Sequence, residues 1–155
     1  MKIFKTILKF IWEYIILSIW QLPQLILGFF VWLFASTKRV YRTTNSCKFY
    51  FMNNGRWGVS LSHFIILCPL HNNYVLLHEA GHKKQSKILG PLYLLLIGLP
   101  SGSFNLIDRF FHKKWTNAKR KYWYYHLPWE YGANKLSGID VSKEGHWYTV
   151  DKNKF

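Results

Sequence analysis

His78 and His82 stand four residues apart in "LLHEAGHKK", residues 76 to 84. On a helix, that spacing sends both imidazoles out of one face about one turn apart, within reach of a single tetrahedral ion. Glu79 projects roughly 100° around the helix from His78. That is too far for an equivalent ligand, but it suits a hydrogen bond to a water in an open coordination position. A bare five-residue match is weak: with this chain's His and Glu content, chance supplies one in roughly a hundred such sequences. The competing reading is an ordinary helix turn whose histidines are solvated or satisfied in the core.

An open metal site usually takes three protein ligands, so a third is expected downstream on another element. After Glu79 the only glutamates are Glu130 and Glu144. Glu130 sits in "PWEYGAN" at the start of an expected helix, and the small Gly132 and Ala133 that follow allow that helix to approach the metal helix closely. Glu144, in the polar tail, is the weaker candidate.

The elements that must position these groups can be read in outline. The metal helix is expected over about Tyr74 to Leu89, capped by Asn72 or Asn73 and preceded by a break at Pro69. Upstream, "CKFYFMN" (47–53) and "RWGVSLSHFIIL" (56–67) are rich in aromatic and β-branched residues and flank Asn54-Gly55, so a two-stranded hairpin is expected. Downstream, "GPLYLLLIGLPS" (90–101) is too short to cross a bilayer and suits a re-entrant or interfacial segment, with turns favoured at Pro91 and Pro100. Residues 108–125 interleave basic and aromatic side chains, as a surface-lying amphipathic element does. A short helix around Trp129 to Leu136 and a polar tail complete the chain.

Composition points to a bilayer. Aromatics make up 19% of the 155 residues, and such rings concentrate at membrane interfaces. Residues 14–35, "YIILSIWQLPQLILGFFVWLFA", carry no charge and are long enough to cross about 30 Å of hydrocarbon. They are expected to be an uncleaved anchor. The central "QLPQ" leaves two arrangements open: one kinked span with Gln21 and Gln24 turned toward protein, or a shallow hairpin folding back at Pro23. A formal net charge of +14 favours contact with an anionic leaflet, and most of the basic residues follow the anchor. The expected location is therefore a bacterial inner or cytoplasmic membrane, with the site facing the cytoplasm. The same charge would suit nucleic acid through residues 109–125, but an anchor beside anionic lipid explains it, and no nucleic acid is expected. Cys47 and Cys68 form no CxxC pair and are read as reduced, packed thiols.

"HEAGH" and "EYGAN" resemble the HExxH and downstream Glu-x-x-Ala-Asp motifs of gluzincin metallopeptidases, most closely the membrane-anchored ones of the HtpX type. The stretch "HEAGHKKQSKILGPLYLLLIGLPS" also resembles small bacterial membrane proteins with the same His-Glu-x-Gly-His, Gln and Gly-Pro-Leu-Tyr spacing, a similarity covering about residues 56–140. The resemblance implies a zinc peptidase with His78, His82 and Glu130 as metal ligands and Glu79 as general base and acid toward a metal-held water. Asn134 replaces the aspartate that usually hydrogen-bonds the first metal-binding histidine, keeping an acceptor oxygen but losing the charge.

The reading is of an α+β protein, a mostly helical, membrane-associated minimal zincin with a short β-hairpin before the HExxH helix. Residues 1–37 form the anchor, 38–140 the catalytic region and 141–155 the tail. If residues 88–107 crossed the bilayer, Glu130 would end opposite His78, so one shared ion requires the 90–101 segment to return to its own leaflet. The partners expected are anionic lipids and a peptide or membrane-protein substrate, which Arg56 to Leu67 would hold by β-addition. Gln85 orients substrate or faces solvent, and Tyr124, Tyr125, His126 and Tyr131 are candidate oxyanion or substrate contacts beside an ordinary anchoring role. The rival is a metal-binding membrane protein without chemistry, acting as an immunity or regulatory partner.

Overall fold

The computed structural model describes residues 2–35, 37–38, 43–44, 47–52, 57–68 and 73–139. The fold is α+β, mostly helical with a small sheet. The N-terminal arm is α1 (Lys2–Phe10), a π-helical stretch (Ile11–Ile16), α2 (Leu17–Trp20) and α3 (Leu22–Phe34). Among the described residues five strands follow: β1 (Thr37–Lys38), β2 (Thr43–Thr44), β3 (Cys47–Met52), β4 (Val59–Leu61) and β5 (Phe64–Leu67). Helix α4 (Asn73–Leu89) then carries the paired histidines. A 3-10 turn (Gly90–Leu92) and a π-helical stretch (Leu94–Gly98) lead into α5 (Leu99–Phe111), α6 (Asn117–Tyr125) and α7 (Pro128–Ser137).

The expected hairpin is not the one that forms. β3 pairs with β5 in parallel, and β4 pairs with β5 antiparallel, giving the order β3-β5-β4 with β1 and β2 as short additions along β3. The hairpin lies inside the second stretch, joining β4 to β5 through Ser62-His63, with Ser62 at φ 57°. A two-residue turn needs a positive φ that glycine or asparagine usually supplies, so "LSHF" carries no recognisable turn signal. The Asn54-Gly55 pair lies outside the described residues, as do Pro69, the candidate cap Asn72, Glu144 and the polar tail from residue 140.

Alternation along β3 explains how α4 is held. Cys47, Phe49 and Phe51 are buried with Ile65 and Leu67 of β5 against Leu76 and Ala80 of α4. Tyr50 and Phe64 meet the aromatic side chains Phe29 and Trp32 of α3. The sheet therefore lies between the arm and the metal helix, each face covered by one of them.

The arm turns by 88° between residues 4–20 and 22–34. The bend falls at Gln21, and Pro23 occupies the first turn of α3, where its missing N–H costs nothing. Both glutamines are buried. Gln24 donates to Ser86 Oγ (3.1 Å) and to the Gly90 carbonyl (2.7 Å), while Ser86 Oγ donates to Gln21 Oε1 (2.7 Å). The polar centre of the apolar run thus binds the end of the metal helix.

A second bend of 119° separates residues 74–92 from 94–111. It centres on the Gly90–Leu92 turn, where Gly90 has φ +53° and Trp20 packs so closely that no Cβ would fit. The turn expected at Pro100 is absent: the helical run from Leu94 to Phe111 continues through Pro100, which directly follows the π-helical stretch Leu94–Gly98 where the backbone hydrogen-bond ladder is already irregular. The expected 108–125 element is likewise two helices, because α5 ends at Phe111 and Thr116 opens α6 by accepting from the Lys119 amide. Among the described residues no single helix is long and apolar enough to cross a membrane, although each bent pair together has the length and composition.

Candidate metal centre

Helix α4 presents two faces. Leu76 and Ala80 enter the core described above, while His78, Glu79 and His82 are buried against a cavity on the other side. Helix α7 crosses α4 with Glu130, Ala133 and Asn134, spaced i, i+3 and i+4, all buried in the contact. Gly81 sets the closeness. A Cβ there would overlap the backbone carbonyl of Ala133, so only glycine allows this approach. The sequence reading gave that role to Gly132 and Ala133. Ala133 does form the other half of the contact, whereas Gly132 lies against the Gln85 side chain.

The crossing brings three donor atoms together. Glu130 Oε2 lies 2.9 Å from His78 Nε2 and 3.2 Å from His82 Nε2, and the two Nε2 atoms are 3.2 Å apart. A tetrahedral ion with bonds of about 2.0–2.1 Å needs donors about 3.3 Å apart. A point about 1 Å off this triangle's plane would be about 2 Å from each atom, with one coordination position left over. The donor set of two imidazoles and a carboxylate fits a divalent metal ion. Glu130 is fully buried and its Oε1 has no hydrogen-bond partner, an expensive state for a carboxylate unless a cation shares the site.

The outer nitrogens are fixed as well. His78 Nδ1 donates to Asn134 Oδ1 (2.8 Å), which also accepts from the Tyr74 hydroxyl (3.1 Å). His82 Nδ1 donates to Gln85 Oε1 (2.8 Å), and Gln85 Nε2 donates to the Trp129 carbonyl (2.8 Å), which fixes the amide orientation. With both Nδ1 atoms protonated, both Nε2 lone pairs face the shared point. Gln85 is buried beside His82, so it does not face solvent as one of its two expected roles had it, and it is not among the residues lining the cavity. Tyr74 was missed because a tyrosine one turn before His78 reads as ordinary core.

In the protein without metal, burial opposes charge on Glu130, but hydrogen bonds from His78 and His82 outweigh it and hold the carboxyl well below its usual range. Burial likewise disfavours charge on His82, yet the hydrogen bond and charge of Glu130 prevail and push it up to about 9. Glu79 moves upward, chiefly through burial, with the two histidines opposing and Glu130 adding to the rise. A carboxyl raised in this way is a better proton acceptor at neutral pH than an ordinary glutamate.

No family model, curated protein or solved structure matches the chain. The site therefore rests on its own geometry.

A cavity of about 360 Å³ adjoins the cluster, walled by Trp57, Gly58 and β4 on one side and by Ser101, Asn105 and Arg109 of α5 on the other. Tyr124 and Tyr125 also line it. Tyr124 shares a hydrogen bond with Ser101 Oγ (3.0 Å), and burial and the Glu130 charge push its phenol up. The Tyr125 ring packs on His78 with centroids 5.0 Å apart. His126 and Tyr131 do not line the cavity: His126 Nδ1 donates to the Tyr122 carbonyl (2.7 Å), and Tyr131 is exposed. A side chain at Gly58 would collide with Leu67 and press on Glu79 Oε1, so the strand backbone passes directly beside the glutamate.

Proposed function

We propose that this chain is a membrane-bound zinc metallopeptidase of gluzincin-like type, with its active site toward the cytoplasm. The observation that carries the reading is the meeting of His78 Nε2, His82 Nε2 and Glu130 Oε2 within 3.2 Å, beside Glu79 and an open cavity. Two imidazoles and one carboxylate form a borderline nitrogen and oxygen set that suits zinc, and three ligands are what catalytic zinc sites use. Zinc held there would acidify a water and polarise a scissile carbonyl.

The chain's own residues supply the rest. Glu79 is the proton acceptor and later the donor to the leaving amine, suited to this by its burial. Tyr124 and Tyr125 are the candidate donors to a developing oxyanion, since they line the cavity and the other two candidates do not. β5 is flanked by strands on both sides, so an extended substrate would add along β4 and the residues before it. The Ser60 carbonyl is taken by the Tyr93 hydroxyl (3.0 Å), which leaves the Trp57-Gly58 stretch beside Glu79 as the place for a peptide backbone.

Membrane association is supported by the apolar surface on both bent pairs. Ile19 and Phe34 in the arm, and Leu95, Leu99 and Phe111 after the second bend, are exposed well beyond what a soluble surface usually carries. Both pairs are read as entering and leaving one leaflet, which keeps α4 and α7 on the same side.

The test is Glu79→Gln in detergent-purified protein. Zinc content should stay at wild-type level while cleavage of a quenched peptide library falls by three orders of magnitude or so. Unchanged cleavage would end the peptidase reading. A wild-type chain that binds zinc, cleaves nothing and keeps its biological effect in this variant would instead be a binding partner.

A further inference from the structure

On the opposite side of α4 from the zinc site, a second cavity of about 260 Å³ is walled by Lys83 and Lys87 of α4, Lys48 of β3, His63 of the β4–β5 turn, and Glu13 and Tyr14 of the arm. We propose that it is a binding site for a phosphate group carrying a glycerol-sized substituent, with Lys48, Lys83 and Lys87 as the cationic ligands. The inference is independent of the peptidase reading.

Three lysines face a small space in which Glu13 is the sole carboxylate among the lining residues. A fourth, Lys84, also reaches the rim, but its Nζ donates to the Leu136 carbonyl (2.7 Å) at the end of α7. Lys83 is nine-tenths buried, and its interaction with the Cys47 side chain supplies no carboxylate. A buried ammonium short of counter-charge is costly, and a bound anion would relieve it. The same crowding acts on His63, whose pKa is lowered by burial and then by Lys83, Lys87 and Lys48 in turn.

His63 is not free to swing away: it shares a hydrogen bond with Ser18 Oγ (3.0 Å), and its ring stacks on Tyr14 with centroids 6.2 Å apart. Lysine is a point charge with three donors, so several of them converging suit the tetrahedral oxygens of phosphate better than a planar carboxylate. The arm segment bearing Glu13 and Tyr14 also exposes Phe10, Trp12 and Ile15, so an apolar tail attached to the ligand would meet apolar surface. Free glycerol phosphate and a glycerophospholipid headgroup share the required chemistry.

The experiment uses full-length protein stripped of metal, so that phosphate bound by a metal does not contribute. Glycerol 3-phosphate is titrated calorimetrically in an uncharged detergent, and in parallel the protein is bound to phosphatidylglycerol or phosphatidylcholine nanodiscs. Lys48→Gln/Lys87→Gln is compared with the charge-matched Lys113→Gln/Lys114→Gln, which touches no part of the cavity. An unchanged circular dichroism spectrum and melting temperature verify that each variant folds. We expect the first pair to weaken binding at least about tenfold and the second less than about twofold. A selective loss in the soluble arm assigns a free phosphate ester, and one confined to phosphatidylglycerol nanodiscs assigns the lipid. Equal effects of the two pairs in both arms, or no binding by wild type in either, overturn the proposal.

Discussion

Gly81 of α4 and Ala133 of α7 touch backbone to backbone, and this contact holds Glu130 against the two imidazoles. Alanine at 81 would gain about 1 kcal/mol in helix propensity. It would also place a methyl into a main-chain carbonyl, which no rotamer change can relieve, and overpacking of that kind costs about 1–3 kcal/mol. The second effect should win. Gly81→Ala is expected to lower both thermal stability and divalent-metal occupancy, measured by melting and by metal analysis. A variant as stable and as fully loaded as wild type would show that the helices are not held this closely.

Asn134 and Gln85 play matching parts, each accepting from the outer nitrogen of one histidine. Asn134→Leu and Gln85→Leu should each weaken divalent-metal binding by about 10–100-fold, as loss of a partner behind a ligand usually does. Asn134→Asp restores a charged acceptor and is expected to tighten it. A competition titration against a chelator reads all three, and indifference to both leucine variants would remove these residues from the site.

Glu130 Oε2 meets both histidines, and Tyr124 is a further polar neighbour of the same carboxylate. Glu130→Ala should reduce divalent-metal affinity by at least about a hundredfold while leaving the sheet and arm intact, as read by metal analysis beside circular dichroism. Full occupancy in the variant would mean that the third ligand lies elsewhere.

Asp108 and Arg120 clamp α5 to α6 through contacts of 2.6 and 3.0 Å. Burial opposes ionisation of Asp108, but hydrogen bonds from Arg120, with His112 adding to them, hold its pKa below the ordinary 3.8. A depressed folded value stabilises the fold fully above the unfolded pKa, and that contribution fades as pH falls through the lowered one. Asp108→Asn should therefore cost about 1 kcal/mol at pH 7, with the gap to wild type closing below about pH 3.8. A difference that stays constant down to strongly acid pH would show that the pair does not act through its charge.

The short-range parts of this protein were legible in its residues. The i, i+4 histidines, the extent of α4 and α7, and Glu130 as the scarce downstream acid all follow from helical periodicity and composition, and the structure brings those three side chains together. Asn134 behind His78 was expected only from the resemblance of "EYGAN" to the Glu-x-x-Ala-Asp motif, and its Oδ1 does meet His78 Nδ1. The strand pairing was not. Asn54-Gly55 suggested a hairpin, but β5 inserts between β3 and β4, a choice made by long-range burial of Phe49, Ile65 and Leu67 against α4.

What the sequence alone determined is which chemistry is available, because ligand type and helical spacing are local properties. What only the tertiary structure decided is which partners meet. Gln85 accepts from the outer nitrogen of His82, Gly81 is the contact point, and the glutamines of the apolar arm close on Ser86 and Gly90. Each of these depends on the approach of elements far apart in the chain, and side-chain identity carries no record of that distance until the backbone has closed it.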